Sequence, residues 1–257
     1  MTVFILKMIA MSSMLIDHLG YPVFFNSLFM RSIGRLAFII YAFLIAEGYY
    51  HLRKKPDRLK THVIKIFILC LITEVPFDLF DSRAWINLNT QSSLPTLMLG
   101  FLALILSGTW IEKFKEKRAV SVAGAVIICL ALAMVSYLIK SEYKFAGVLL
   151  IVFFYLYLVK AGDSKVLVRF ITLIILFAVY IPLYIWSRAK FGGWTDIITA
   201  ANAFKPRFVG TICTIIPLAF YNRKLGYHSK WFSWLYSIFY PLQFVVLLVA
   251  RYFIRGF

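Results

Sequence analysis

Apolar runs follow one another along the whole chain, separated by short turns in which polar and charged residues collect. A run of about 18–25 such residues lets a helix cross a hydrocarbon core of roughly 30 Å. Runs of this kind lie at roughly 3–25, 28–50, 61–80, 93–110, 119–139, 144–160, 166–186, 206–221 and 231–252. The pattern predicts an all-α, polytopic transmembrane helical bundle of about nine spans, with eight to ten as the range. The run at 144–160 is short, and the mixed segment 188-RAKFGGWTDIITAANAFK-205 suits an interfacial helix or a re-entrant loop. No fixed-period repeat and no long linker interrupts the series, so 1–257 reads as a single integral-membrane domain.

Composition agrees with the pattern. The chain is 62% hydrophobic and only 15% charged, with a mean hydropathy of +0.84, whereas soluble domains are about a quarter charged. Its 28 Lys and Arg against 11 acidic residues give +17. In a soluble protein that excess would suggest nucleic acid; here the basic residues sit in short turns, where they orient helices and meet anionic lipid. No nucleic-acid partner is expected. The basic turns 51-HLRKKPDRLK-60, 112-EKFKEKR-118, 160-KAGDSK-165 and 222-NRKLGYHSK-230 alternate along the chain and are expected on the cytoplasmic side. The N-terminus is then cytoplasmic, and its apolar run, which holds Asp17 and lacks a basic cluster ahead of it, reads as a retained helix. The expected location is a bacterial cytoplasmic membrane.

Ionisable residues inside the spans change the picture most, because each costs about 2.5–3.5 kcal/mol at a helix centre and marks a functional site by default. They concentrate in the first three spans: Asp17 and His18, then Arg31, Arg35 and Glu47, then Glu74 and Asp78. At about 1.5 Å rise per residue, Asp17, His18, Arg35 and Glu74 all fall about 20 Å from the cytoplasmic edge. Arg31 and Arg35 share one helical face, as do Glu74 and Asp78. Asp17 and His18 point about 100° apart, so one of them is expected to meet Arg35 while the other faces a cavity. A buried Asp–Arg pair also suits a purely structural role. Pro76 bends the third span, and Glu47, His51 and Arg53 suit interfacial anchoring. Cys70, Cys129 and Cys213 lie in apolar runs without ligand spacing, so neither a disulfide framework nor a metal site is expected.

The residues Lys7, Asp17, His18 and Gly20, then Arg31, Gly34, Arg35, Glu47 and Gly48, then Arg53, then Glu74, Pro76, Phe77 and Asp78 resemble together the motifs of the TraX family. The closing segments 221-YNRKLG-226 and 239-FYPLQF-244 extend the resemblance over nearly the whole length. Two places depart from the family pattern. Glu142, Tyr143 and Lys144 stand where it has Asp-Tyr-Gly, and Gln243 stands where it has a histidine.

The resemblance implies a membrane protein of conjugative pilus assembly that acetylates a pilin N-terminus. Such acyl transfer needs a base for the acceptor's proton and donors for the oxyanion on the carbonyl. His18, whose imidazole ordinarily titrates near neutrality, is the candidate base. Asp17 or Glu74 would tune or replace it, and Arg35 would stabilise the oxyanion or pair with a carboxylate. Arg31, Asp78 and Glu47 are candidate substrate contacts. Acetyl-CoA is the expected donor, its phosphates meeting Arg53 and Lys54 at the inner helix ends. The acceptor is a pilin-like or other peptide amine, or a glycan hydroxyl. Two other classes stay open: a proton-coupled transporter, since Asp, Glu and His clusters also relay protons, and a non-catalytic assembly protein. The charges sit in one third of the chain and not in two matching broken helices, which counts against transport.

Overall fold

The computed structural model describes residues 1–20, 27–189 and 194–255. Among them the chain forms helices α1 (Val3–Gly20), α2 (Leu28–Leu52), α3 (Pro56–Ser82), α4 (Ser93–Lys113) and α5 (Arg118–Leu138). It continues through α6 (Lys144–Lys160), α7 (Val166–Arg188), α8 (Trp194–Cys213), the single turn α9 (Ile215–Ala219) and α10 (Lys230–Arg255). The fold is all-α. Helix is the only spanning element that satisfies every backbone group internally, and the runs without charge become helices without exception.

Six of these are long and apolar enough to cross a membrane: α1, α2, α4, α5, α7 and the stretch Lys230–Ala250 of α10. The expectation of about nine spans is therefore met in part. The runs at 61–80 and 144–160 are helical, as α3 and α6, but α3 is rich in charge and α6 has only 17 residues. The run at 206–221 is divided between the end of α8 and α9. The mixed segment 188–205 leads into α8, with 190–193 outside the described residues, as are 21–26 at the end of the first expected span.

α2 and α6 form the centre. Ile40, Ala42, Phe43 and Ala46 of α2 and Leu150, Ile151 and Phe154 of α6 are fully buried. The small residues of α2 let its neighbours approach closely, as in helix pairs packed within lipid. α5 and α7 turn large apolar side chains outward, among them Ile127, Leu138, Leu167 and Ile175, the surface a lipid-facing helix presents.

The two ends of the bundle differ. At one end Val3 N–H donates to Lys224 O (2.9 Å) and Asn222 N–H to Met1 O (2.9 Å). There too Arg223 pairs with Asp163 (2.8 Å) and Arg53 donates to Tyr155 Oη (2.7 Å). This end gathers the basic turns. At the other end Lys140 Nζ donates to Asn89 Oδ1 (3.0 Å), Gln91 pairs with Ser141, and Arg188 donates to Glu142 O (3.1 Å). This end holds the site.

Candidate functional site

Asp17 stands one turn before the end of α1, where it meets the start of α2. Gly34 makes the meeting possible: a Cβ there would run into the Asp17 side chain. Arg35, the next residue, donates from Nη2 to Asp17 Oδ2 at 2.9 Å. Its Nη1 donates to Tyr143 Oη at 3.0 Å and lies 3.7 Å from Glu142 Oε1. Arg31, one turn earlier, brings Nε to 3.8 Å from Asp17 Oδ1. The Arg35 side chain is 6% exposed and that of Asp17 14%. In such surroundings a guanidinium is tolerable only when paired, and Arg35 has acids from α1 and from the turn before α6 on either side.

His18 points away from this pair, as the 100° step on a helix requires. Its ring packs on Phe244 of α10 (centroids 4.7 Å apart) and Phe80 of α3 (5.9 Å). Nδ1 is buried without a hydrogen-bond partner, as are both polar atoms of the Gln243 side chain, which lies close to the imidazole. Asp17, His18 and Arg31 line one open cavity of about 840 Å³, within the range that holds a small ligand. Phe77, Phe80 and Asp81 close one side and Asn89, Thr90 and Gln91 another; Glu142, Lys140, Lys144 and Arg188 are also on its wall. The arrangement offers an imidazole with an unused nitrogen and a fixed guanidinium–carboxylate pair beside it.

Other candidates lie elsewhere. Glu74 accepts from Ser92 Oγ (2.7 Å) at the start of α4, and Asp78 Oδ2 from Asn87 N–H (2.8 Å). Both therefore fasten the 83–92 loop and neither lines the cavity. Glu47 sits at the basic end, 3.0 Å from His51 Nε2, and accepts from Tyr221 Oη at 2.7 Å. Arg53 bonds Tyr155 and covers the Tyr50 ring (4.8 Å), and Lys54 is exposed. Arg53 is eighteen residues from Arg35 along α2, or about 27 Å. Among the described residues no three His, Cys, Asp or Glu side chains converge as metal ligands would.

Glu142, Tyr143 and Gln243 belong to the site, although the sequence did not assign them to it. Their signal was the pair of departures from the family motif. Tyr143 stacks on Phe38 (3.4 Å, 4° between planes), which aims its hydroxyl at Arg35. Lys144 has φ 48°, left-handed backbone, which is the reason glycine suits this position.

The comparisons agree with the motif. The family model described as TraX protein matches residues 3–251. No curated protein and no solved structure matches the chain.

Proposed function

Since the chain belongs to the TraX family and is a multi-pass membrane protein, we propose that it is a membrane-embedded acetyltransferase. In this reading it acts on an amine, the N-terminus of a pilin-like peptide, with acetyl-CoA as donor, in a bacterial cytoplasmic membrane. The observation that carries it is the place of His18 on the wall of a cavity it shares with Asp17 and Arg31. The acceptor nitrogen attacks the thioester carbonyl, and His18 takes the proton that the nitrogen must lose. The carbon–sulfur bond then breaks, the acetyl group stays on nitrogen, and the imidazolium returns its proton to the departing thiolate. Arg35, held by Asp17, and the more exposed Arg31 supply positive charge for the oxyanion. Glu74 and Asp78 act indirectly, by holding the loop that carries Asn89, Thr90 and Gln91 to the cavity.

The same reading takes α3, α6 and the α8–α9 stretch as crossing, for nine spans. α6 supports this: its 17 residues span about 26 Å and it is packed inside the apolar helices. Arg53 and Lys54 offer the donor's phosphates a contact at the basic end. The thioester arm must then pass between helices, the steepest demand of the reading.

The test is turnover of radiolabelled acetyl-CoA by purified protein in nanodiscs, wild type beside equally folded His18→Ala. Saturable binding in both, with acetyl release or transfer lost only in the variant, is expected. No binding by folded wild type would sink the donor assignment and direct attention to proton flux in proteoliposomes.

A further inference from the structure

Beside the main cavity lies a second one of about 280 Å³, between α7 and α8. Tyr184, Arg188, Asp196, Thr199, Phe204 and Arg207 are on its wall. Arg188 lines both cavities, so the two adjoin.

Arg207 is the unusual member. Its Nε is buried with no hydrogen-bond partner. Among the described residues its side chain is in no ion pair, although Arg31, Arg35 and Arg188 are near enough to repel it. Gly210 explains how it comes to be there. A Cβ at 210 would strike the Ser32 carbonyl, and Gly210 N–H donates to Ser32 Oγ at 3.3 Å. This close crossing presses α8 onto the second turn of α2, and Arg207, three residues earlier, is carried towards Arg31 and Arg35. The acids nearby are committed: Asp17 lies between Arg31 and Arg35, and Glu142 faces Arg35. Among the described residues Asp196 is the single carboxylate on the wall of the second cavity, against two guanidinium groups. Holding a cation among cations without a partner is unfavourable, unless an anion from outside completes the set.

We infer that this cavity binds one phosphate group, gripped by Arg207 from α8 and Arg188 from α7. Guanidinium is the side chain suited to forked bonds with phosphate. A tetrahedral oxyanion presents acceptors to donors arriving from two helices, and the Tyr184 hydroxyl lies on the same wall. The volume falls just under the roughly 300–1,000 Å³ of pockets that enclose a drug-sized ligand, so the site takes a headgroup or a free anion and not a whole coenzyme. Arg188, Thr199 and Ala203 are exposed, which gives a phosphate access from outside. Phosphate binding in this cavity does not depend on acyl transfer.

Thermal unfolding of the full chain in maltoside micelles tests it, with inorganic phosphate titrated in one arm and phosphatidylglycerol in the other, against chloride at matched ionic strength. Wild type should gain stability saturably. Arg207→Gln should bind at least tenfold more weakly, and Arg207→Lys should keep part of the response. A response to inorganic phosphate identifies a soluble phosphate compound; a response to the lipid alone identifies a headgroup. Without ligand, Arg207→Gln should unfold at the wild-type temperature or above, because repulsion is relieved. An unchanged response in Arg207→Gln, no response in either arm, or loss of folding in that variant would each overturn the assignment.

Discussion

Arg35 is held by three groups from two places in the chain: Asp17 in α1, and Glu142 and the Tyr143 hydroxyl in the turn before α6. Removing one member of a buried pair strands the other, which costs about 3–5 kcal/mol. Arg35→Gln should therefore lower the unfolding free energy by that order, and Asp17→Asn should do so less, because Arg35 keeps Glu142. If both variants unfold with the wild type in a denaturant titration in micelles, the pair is not a buried one. Arg83 makes the opposite case. It ends α3 at φ 57° and is exposed, a left-handed position that costs a residue with a Cβ roughly 1–2 kcal/mol. Arg83→Gly should stabilise by about 1 kcal/mol once glycine's own chain entropy is subtracted. Arg83→Ala, which keeps the Cβ, should give no such gain in the same titration.

At the scale of elements, the contact of α1 with α2 decides the site. Gly34 and Gly48 lie on the same helix, and a Cβ meets Asp17 at one and nothing within 4 Å at the other. Gly34→Ala should cost about 1–3 kcal/mol through overpacking and lower acetyl transfer with it. Gly48→Ala should be neutral or stabilise by about 0.4–1 kcal/mol. Equal effects of the two alanines on melting would refute the close approach. This contact was partly legible in the sequence. The depths of Asp17 and Arg35 follow from helical rise, and the step between Asp17 and His18 separates their roles. The partners of Glu74 and Asp78 were not legible: matching depth suggested the same cavity, yet the 83–92 loop folds back and takes both carboxylates. Nor could Tyr143 be placed, because 108 residues separate it from Arg35 and no local pattern encodes the meeting. Helices are plain in such a chain because apolar runs announce them. Facing is obscure because lipid and core ask for the same side chains.

Over the whole molecule, charge and cavities divide between the ends. The turns 51–60, 112–118, 160–165 and 222–230 carry half of the 28 Lys and Arg, and both cavities lie at the opposite end. Because clustered Lys and Arg in short loops stay in the cytoplasm, the cavities should open on the outer face, where a pilin-like acceptor would be presented. A donor held at Arg53 would then bind from the inner face, so Arg53→Gln with Lys54→Gln should raise KM for acetyl-CoA several-fold and leave kcat unchanged. An unaltered KM would remove both residues from the donor site. Orientation itself is open to direct measurement. In a chain with Cys70, Cys129 and Cys213 replaced by alanine, Arg83→Cys and Lys115→Cys place single thiols at exposed positions on the two ends. In right-side-out vesicles a membrane-impermeant maleimide should label the first and spare the second until the membrane is opened. The reverse pattern would turn the cavities towards the cytoplasm, where acetyl-CoA reaches them directly and Arg53 and Lys54 lose their part in binding it.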